Sequence, residues 1–303
     1  MVPNALQFDY KDIILSNFFS IEFHMSRIIL YYQTFNGLEP ILKMSTQKCT
    51  HIHVSSIHFG TNNDGSLYIH LNDDPPNSPK FDSMWKQIES MSKKGVKIIL
   101  MVGGAGGAYY DLFSNFEAYY SMLKCCLYER PYISGIDLDI EEYVELDDVK
   151  MLINRIVQDF GSDFIISMAP VQSSLMEDQP GLGGFVYKDL YNSPEGKYID
   201  YFNGQFYSDY SVKSYQRCIQ NGYPAPKVVM GMISAMYNKG SKSSITNILQ
   251  ELVKQYPDFG GVFDWEEFDS YPSGKEWIID MDNTINKDDN EEHELWTMIK
   301  LAL

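Results

Sequence analysis

Between Ile133 and Glu142 the chain reads I-S-G-I-D-L-D-I-E-E, so that Asp137, Asp139 and Glu141 alternate with Ile136, Leu138 and Ile140. A period of two places the three carboxylates on one face of a strand and the aliphatic side chains on the other. Acids two residues apart on a strand stand on the order of 7 Å apart at Cα, near enough for the charge of one to raise the pKa of the next. Such a face suits proton transfer if other elements cover the apolar side and the acids point into a barrel or cleft. Two plainer readings compete: a solvated acidic face on an edge strand, and a D-x-D pair of metal ligands.

Composition narrows the chemistry. The 303 residues are 44% hydrophobic and 14% aromatic, enough for a large core in one α/β domain. With 24 basic against 41 acidic residues the net charge is −17, which repels phosphate backbones and anionic membrane surfaces. A neutral ligand such as a sugar feels little of that charge, and aromatic faces suit its C–H surfaces. The start, M-V-P-N-A-L-Q-F-D-Y-K-D, lacks a basic segment followed by an apolar one, and no apolar run spans a bilayer. The expectation is a soluble chain without a secretory signal, cytoplasmic or released by another route. Cys49, Cys125, Cys126 and Cys218 are too scattered for a disulfide framework or a zinc site, so reduced thiols are expected.

The elements that must position the acids follow from periodicity. After a lead-in over residues 1–25, strands are expected at Arg27–Gln33, Thr50–Gly60, Val96–Val102, around Ile136, and at Phe164–Ala169. Three more fall within Lys197–Tyr207, at Val228–Ile233 and at Gly260–Trp265, and Ser66–Leu71 reads as a short extra strand. Helices are expected at Phe81–Lys94, Asp111–Tyr128, Asp147–Phe160, Ser211–Gln220 and Ser244–Tyr256. A C-terminal loop and helix fill residues 266–303, with Asp280–Asn290 a solvated acidic loop and Glu291–Leu303 a final helix. Eight strands alternating with helices predict a single-domain α/β fold, a (β/α)8 TIM barrel; an open doubly wound sheet is the alternative. Gly103, Glu141, Pro170, Tyr207 and Trp265 each close a different strand, and convergence of many strand ends on one face is what a barrel does. The G-G-A-G-G-A-Y run, Gly103–Tyr109, has no phosphate-loop spacing, and close backbone approach explains its glycines.

These motifs together resemble glycoside hydrolase family 18, the chitinases and endo-β-N-acetylglucosaminidases, and are most similar to its compact class III-type chitinases. The D-x-D-x-E part of the family signature stands intact at Asp137-Leu138-Asp139-Ile140-Glu141. The order of Gly103–Tyr109, Ala169-Pro170, Gln205-Phe206-Tyr207 and Gly260–Trp265 also matches, over about Arg27 to Trp265. The resemblance implies a retaining hydrolase of β-1,4 bonds next to N-acetylglucosamine in chitin or chitooligosaccharides, with no cofactor and no metal. Glu141 is then the general acid, and the substrate's own N-acetyl oxygen is the nucleophile. Asp139 orients the acetamido group and stabilises the oxazolinium ion, with Asp137 holding a shared proton behind it. Tyr207 binds the acetamido oxygen, Trp265 is the floor under that sugar, and Tyr31 lies near the triad. Gln205 and Met168 are expected to line the pocket.

Two positions depart from the pattern. Ser134 stands in place of the first signature aspartate, and Met101 in place of a serine whose hydroxyl would bond the relay aspartate. The second change leaves Asp137 with fewer expected partners, at a cost on the order of 1–3 kcal/mol. The competing functions are a catalytically weak or silent carbohydrate-binding member of the same fold, an endo-β-N-acetylglucosaminidase acting on N-glycans, and a metal-dependent hydrolase built on His51-Ile52-His53. Retention of both Asp139 and Glu141 speaks against the first, and the shortage of later histidines against the last.

Overall fold

The protein is described by a computed structural model covering residues 25–287. The compact unit is Ser26–Ile285. The expected lead-in, apart from its last residue, and the helix Glu291–Leu303 lie outside the described residues. Eight parallel strands close into a barrel: β1 (Arg27–Tyr32), β2 (His51–Thr61), β4 (Lys97–Gly103), β5 (Ile133–Asp139), β6 (Ile165–Met168), β7 (Tyr201–Gln205), β8 (Val228–Ile233) and β9 (Gly261–Trp265). β9 and β2 both pair with β1, which seals the ring. The short β3 (Leu67–Leu71) folds back antiparallel on the overhanging end of β2.

Alternation along each strand separates two cores. Outward residues such as Ile28, Leu30, Ile98, Leu100, Ile136 and Leu138 pack into the layer between barrel and helices. Inside, Ile29, Tyr31, Met101, Tyr201, Val229 and Phe263 fill the barrel, so the lumen is a packed core with aromatic and polar residues toward one end. Because the strands are parallel, every C-terminal end opens on the same mouth, and that is where Asp139, Gln205 and Trp265 fall.

Three expectations change in detail. The helix expected over Asp111–Tyr128 is two, Ala108–Ser114 and Phe116–Tyr128, broken at Asn115 where ψ is 62°. The strand within Lys197–Tyr207 starts at Tyr201, after a 3-10 turn at Gly196–Tyr198. The segment expected to begin a solvated acidic loop at Asp280 is instead in a helix, Gly274–Ile285. Trp277, Ile278, Met281 and Ile285 recur at helical spacing and are buried there. The acids Asp280 and Asp282 accept from Tyr237, Lys242 and Lys48, which offsets their removal from water.

Candidate active site

The site is built outward from Asp137, which is wholly buried inside the barrel. Its Oδ2 accepts from the Tyr31 hydroxyl at 2.8 Å, and its Oδ1 from Ser167 Oγ at 2.6 Å and Asn203 Nδ2 at 3.2 Å. Asn203 also donates to the Tyr31 oxygen at 2.9 Å, and His53 Nδ1 stands 3.4 Å from Oδ2. Burial alone would raise the pKa of this carboxyl, but His53, Ser167 and Tyr31 together hold it below its ordinary value. The shortage of partners expected from Met101 is therefore not found. Donors from β1, β6 and β7 surround the carboxylate, and Met101 packs among the apolar residues of the lumen.

Asp139 is the next inward residue, at the strand end and only 6% exposed. Its pKa is raised well above the carboxylate range, first by burial and then by the charges of Glu141, Asp137 and Glu142. The two neighbouring carboxyls are thus shifted in opposite directions, which is how acid and base roles are divided within one cluster. Glu141 follows β5 at the mouth and is half-buried. The Gln205 amide lies 3.5 Å from Asp139 Oδ1 and 3.4 Å from Glu141 Oε1, while its firm bond, at 2.9 Å, is to the carbonyl of Ala169. Gln205 thereby spans the gap between the two acids.

Glycine is required where this strand meets its neighbour. Gly103 has φ +95°, and a Cβ placed on it would stand 2.2 Å from the Asp139 carbonyl. Gly104 N–H donates to that same carbonyl at 2.8 Å, so the glycine-rich run holds the acid-bearing backbone by close approach, as its composition predicts.

Asp139 and Glu141 open into a cavity of about 270 Å³ lined also by Gln33, Ser56, His58, Met101, Gln205, Tyr207 and Trp265. The Trp265 ring centroid is 5.2 Å from that of Tyr31, and the half-buried Tyr207 is edge-on to Phe263. Burial, then Asp139, pushes the Tyr207 hydroxyl pKa well up, so it stays a proton donor. The Glu266 carboxylate accepts the backbone N–H groups of Gln33 and Thr34 and so ties the loop after β1 to the residue following Trp265. A second cleft of about 740 Å³ adjoins the first and shares Gln33, Ser56, His58 and Ala105 with it. It is the larger, but the carboxylates converge on the smaller.

Asp137, Asp139, Glu141, Gln205, Tyr207, Trp265 and Tyr31 thus lie together at the barrel mouth. Met168 does not. It pairs with Leu138, is wholly buried, and faces the barrel–helix layer, while its neighbour Ser167 pairs with Asp137 and points inward. Ser167, Asn203 and His53 were not predicted as partners of Asp137. The signal for Asn203 lies in Tyr201, Asn203 and Gln205, which alternate on one face of β7. Glu142 braces the acid loop. One of its oxygens accepts the N–H of Tyr109, tying the acid loop to the helix Ala108–Ser114, and its other oxygen is buried without a partner. Of the histidine pair, His51 Nδ1 lies 2.8 Å from Thr50 Oγ1, and among the described residues no three His, Cys, Asp or Glu side chains cluster as metal ligands.

Residues 27–297 match the sequence family described as glycosyl hydrolases family 18. Among solved structures the chain is similar to a fungal endo-β-N-acetylglucosaminidase from glycosyl hydrolase family 18, with 33% identity and a TM-score of 0.77 over 86% of this chain and 98% of that one. It is similar also to the chitinase ChiC of Aspergillus fumigatus, with 32% identity and a TM-score of 0.74 over 85% of this chain and 98% of that one. Over 211 residues it is 26% identical to chitinase 2 of Rhizopus oligosporus, a match that takes in 62% of this chain but only 37% of that protein's length. Matched along nearly all of the described barrel, and superposing on solved members at about a third identity, the chain belongs to glycosyl hydrolase family 18.

Proposed function

We propose that the protein hydrolyses β-1,4 glycosidic bonds next to N-acetylglucosamine, in chitin or chitooligosaccharides, with retention and with the substrate's acetamido group as nucleophile. The observation that carries this reading is the row of carboxyls at the barrel mouth, Asp137 held by three donors and Asp139 and Glu141 spanned by the Gln205 amide. Asp137, with donors on both oxygens, lies deepest; Asp139, whose pKa is raised by burial and its acidic neighbours, lies above it; and Glu141 stands at the mouth.

In this scheme the cleaved sugar lies on Trp265, with its acetamido group between Asp139 and Tyr207. Asp139 accepts the acetamido N–H, and the Tyr207 hydroxyl donates to the acetamido oxygen, which turns that oxygen toward the anomeric carbon. As the C–O bond breaks, Glu141 gives its proton to the leaving oxygen and the acetamido oxygen closes to an oxazolinium ion. The proton on Asp139 then hydrogen-bonds the new Glu141 carboxylate, and the fixed negative charge of Asp137 opposes the positive charge on the sugar. Glu141 next takes a proton from water, which opens the ring from the same face and restores the acid. The proton that family resemblance assigns to Asp137 is better placed on Asp139, since three donors already hold Asp137. Chitooligosaccharide digestion followed by mass spectrometry tests the reading: N-acetylglucosamine-terminated products support it, and intact substrate at high enzyme concentration contradicts it.

A second reading, action on the chitobiose core of N-glycans, rests on the adjoining 740 Å³ cleft, which gives a branched chain room beside the acids. The similarity to a fungal endo-β-N-acetylglucosaminidase also favours it. A high-mannose glycopeptide in the same assay separates the two: release of the glycan with one N-acetylglucosamine left on the peptide supports the second reading.

A further inference from the structure

His53, the third residue of β2 and the partner of Tyr31 in the ladder, is wholly buried, and the reaction scheme above gives it no part. Its Nε2 is 3.2 Å from the Tyr201 hydroxyl. Its Nδ1 has no hydrogen-bond partner, although it faces Asp137 Oδ2 across 3.4 Å. A buried donor left open costs stability, so an orphan of this kind marks either strain or a use. The hydrogen-bond arithmetic points to a use. An ionised carboxylate accepts at about four lone-pair sites, and Asp137 has three donors, two on Oδ1 and one on Oδ2. With the Tyr201 hydroxyl as donor to Nε2, the ring proton falls on Nδ1, since the bond made at one ring nitrogen sets the proton on the other.

We propose that His53 is a positioning residue for hydrolysis, its Nδ1–H closing onto Asp137 Oδ2 as the fourth donor when substrate occupies the site and fixing the negative charge there. This rests on the hydrolase reading. Hydrogen bonds that are long in a free enzyme commonly tighten only in the substrate complex. The consequence is directional: with Asp137 held as the anion, the proton stays on Asp139, beside Glu141, where the scheme uses it. The titratable groups facing His53 are Asp137 from β5, Tyr31 from β1, Tyr201 from β7 and, on its own strand, His51. From β4 it meets the apolar Ile99.

The test compares wild type, His53→Phe and His53→Asn in chitooligosaccharide hydrolysis across pH 3–9. His53→Phe keeps the bulk and removes the donor, whereas the amide of His53→Asn can occupy the Nδ1 position. The sign follows from Asp137, whose pKa is depressed in the folded protein. Activity needs its anion and is lost as pH falls through that pKa, so losing a donor moves the acid limb upward. The expected shift in His53→Phe is about one pH unit, a tenfold change in proton affinity, with kcat reduced about tenfold or more and KM changed little. His53→Asn keeps the wild-type limb. A role in packing alone would lower folding stability without moving the limb, and an unmoved limb in an active His53→Phe overturns the proposal. No turnover by wild type overturns the hydrolase reading and this proposal with it. Selective ¹⁵N labelling of the six histidines of the wild-type chain provides a measurement that needs no variant. A proton on His53 Nδ1, shifting downfield when a thiazoline analogue binds, is expected; a proton on Nε2 instead, or no shift on binding, contradicts it.

Discussion

Each carboxyl of the triad has its own expected phenotype. Glu141→Gln removes the proton donor and keeps the shape of the site, so oligosaccharide binding measured by calorimetry persists while kcat falls by about 10²–10⁴; a loss below tenfold would mean that another group is the acid. Asp139→Asn also lowers kcat, and its stability effect has a definite sign. The folded-state pKa of Asp139 lies well above the unfolded value, chiefly through burial. Below about pH 4 both states keep the proton; above it unfolding releases one, so the wild type loses stability as pH rises toward the folded pKa. The melting temperature of Asp139→Asn should therefore exceed that of wild type at pH 8 and converge with it near pH 4. Equal melting curves at both pH values would show that Asp139 is ionised in the folded protein. At this scale the acids, Tyr207 and Trp265 were legible because a motif fixed their positions. Met168 faces outward because β6 pairs it with the outward Leu138 and sets Ser167 opposite Asp137, and on a strand a slip of one residue exchanges the faces. The donors around Asp137 escaped notice because they come from three other strands and meet only when the barrel closes.

Among the elements, the junction of β4 and β5 is the most constrained. Gly103→Ala puts a methyl group 2.2 Å from the Asp139 carbonyl on a backbone at φ +95°. Strain and displacement together should cost on the order of 2–4 kcal/mol in urea unfolding and reduce turnover with it; a change below about 0.5 kcal/mol would show that the loop yields freely. Strand order was readable because continuous apolar runs such as Val96–Val102 mark strands buried on both faces. The acids Asp280 and Asp282 mask the helix Gly274–Ile285, whose signal is the spacing of Trp277, Met281 and Ile285. The break at Asn115 has no proline or glycine to announce it.

The whole chain carries a net charge of −17, and this sets how it meets its ligands. Charge beyond a Debye length is screened, and a neutral oligosaccharide offers nothing for it to act on. KM for a chitooligosaccharide should therefore change by less than about twofold between 20 mM and 500 mM salt, whereas binding of an anionic glycan should strengthen as salt rises. A steep salt dependence with the neutral substrate would point to a charged group in recognition.

The most direct test of the central claim is the anomeric form of the first product, followed by ¹H NMR during hydrolysis of a chitooligosaccharide, beside the same chain de-N-acetylated at the cleaved sugar. A substrate nucleophile working with Asp139 and Glu141 predicts that the β-anomer appears first and that the de-N-acetylated chain is not cut. An α-anomer appearing first, or equal cleavage of both chains, would contradict it.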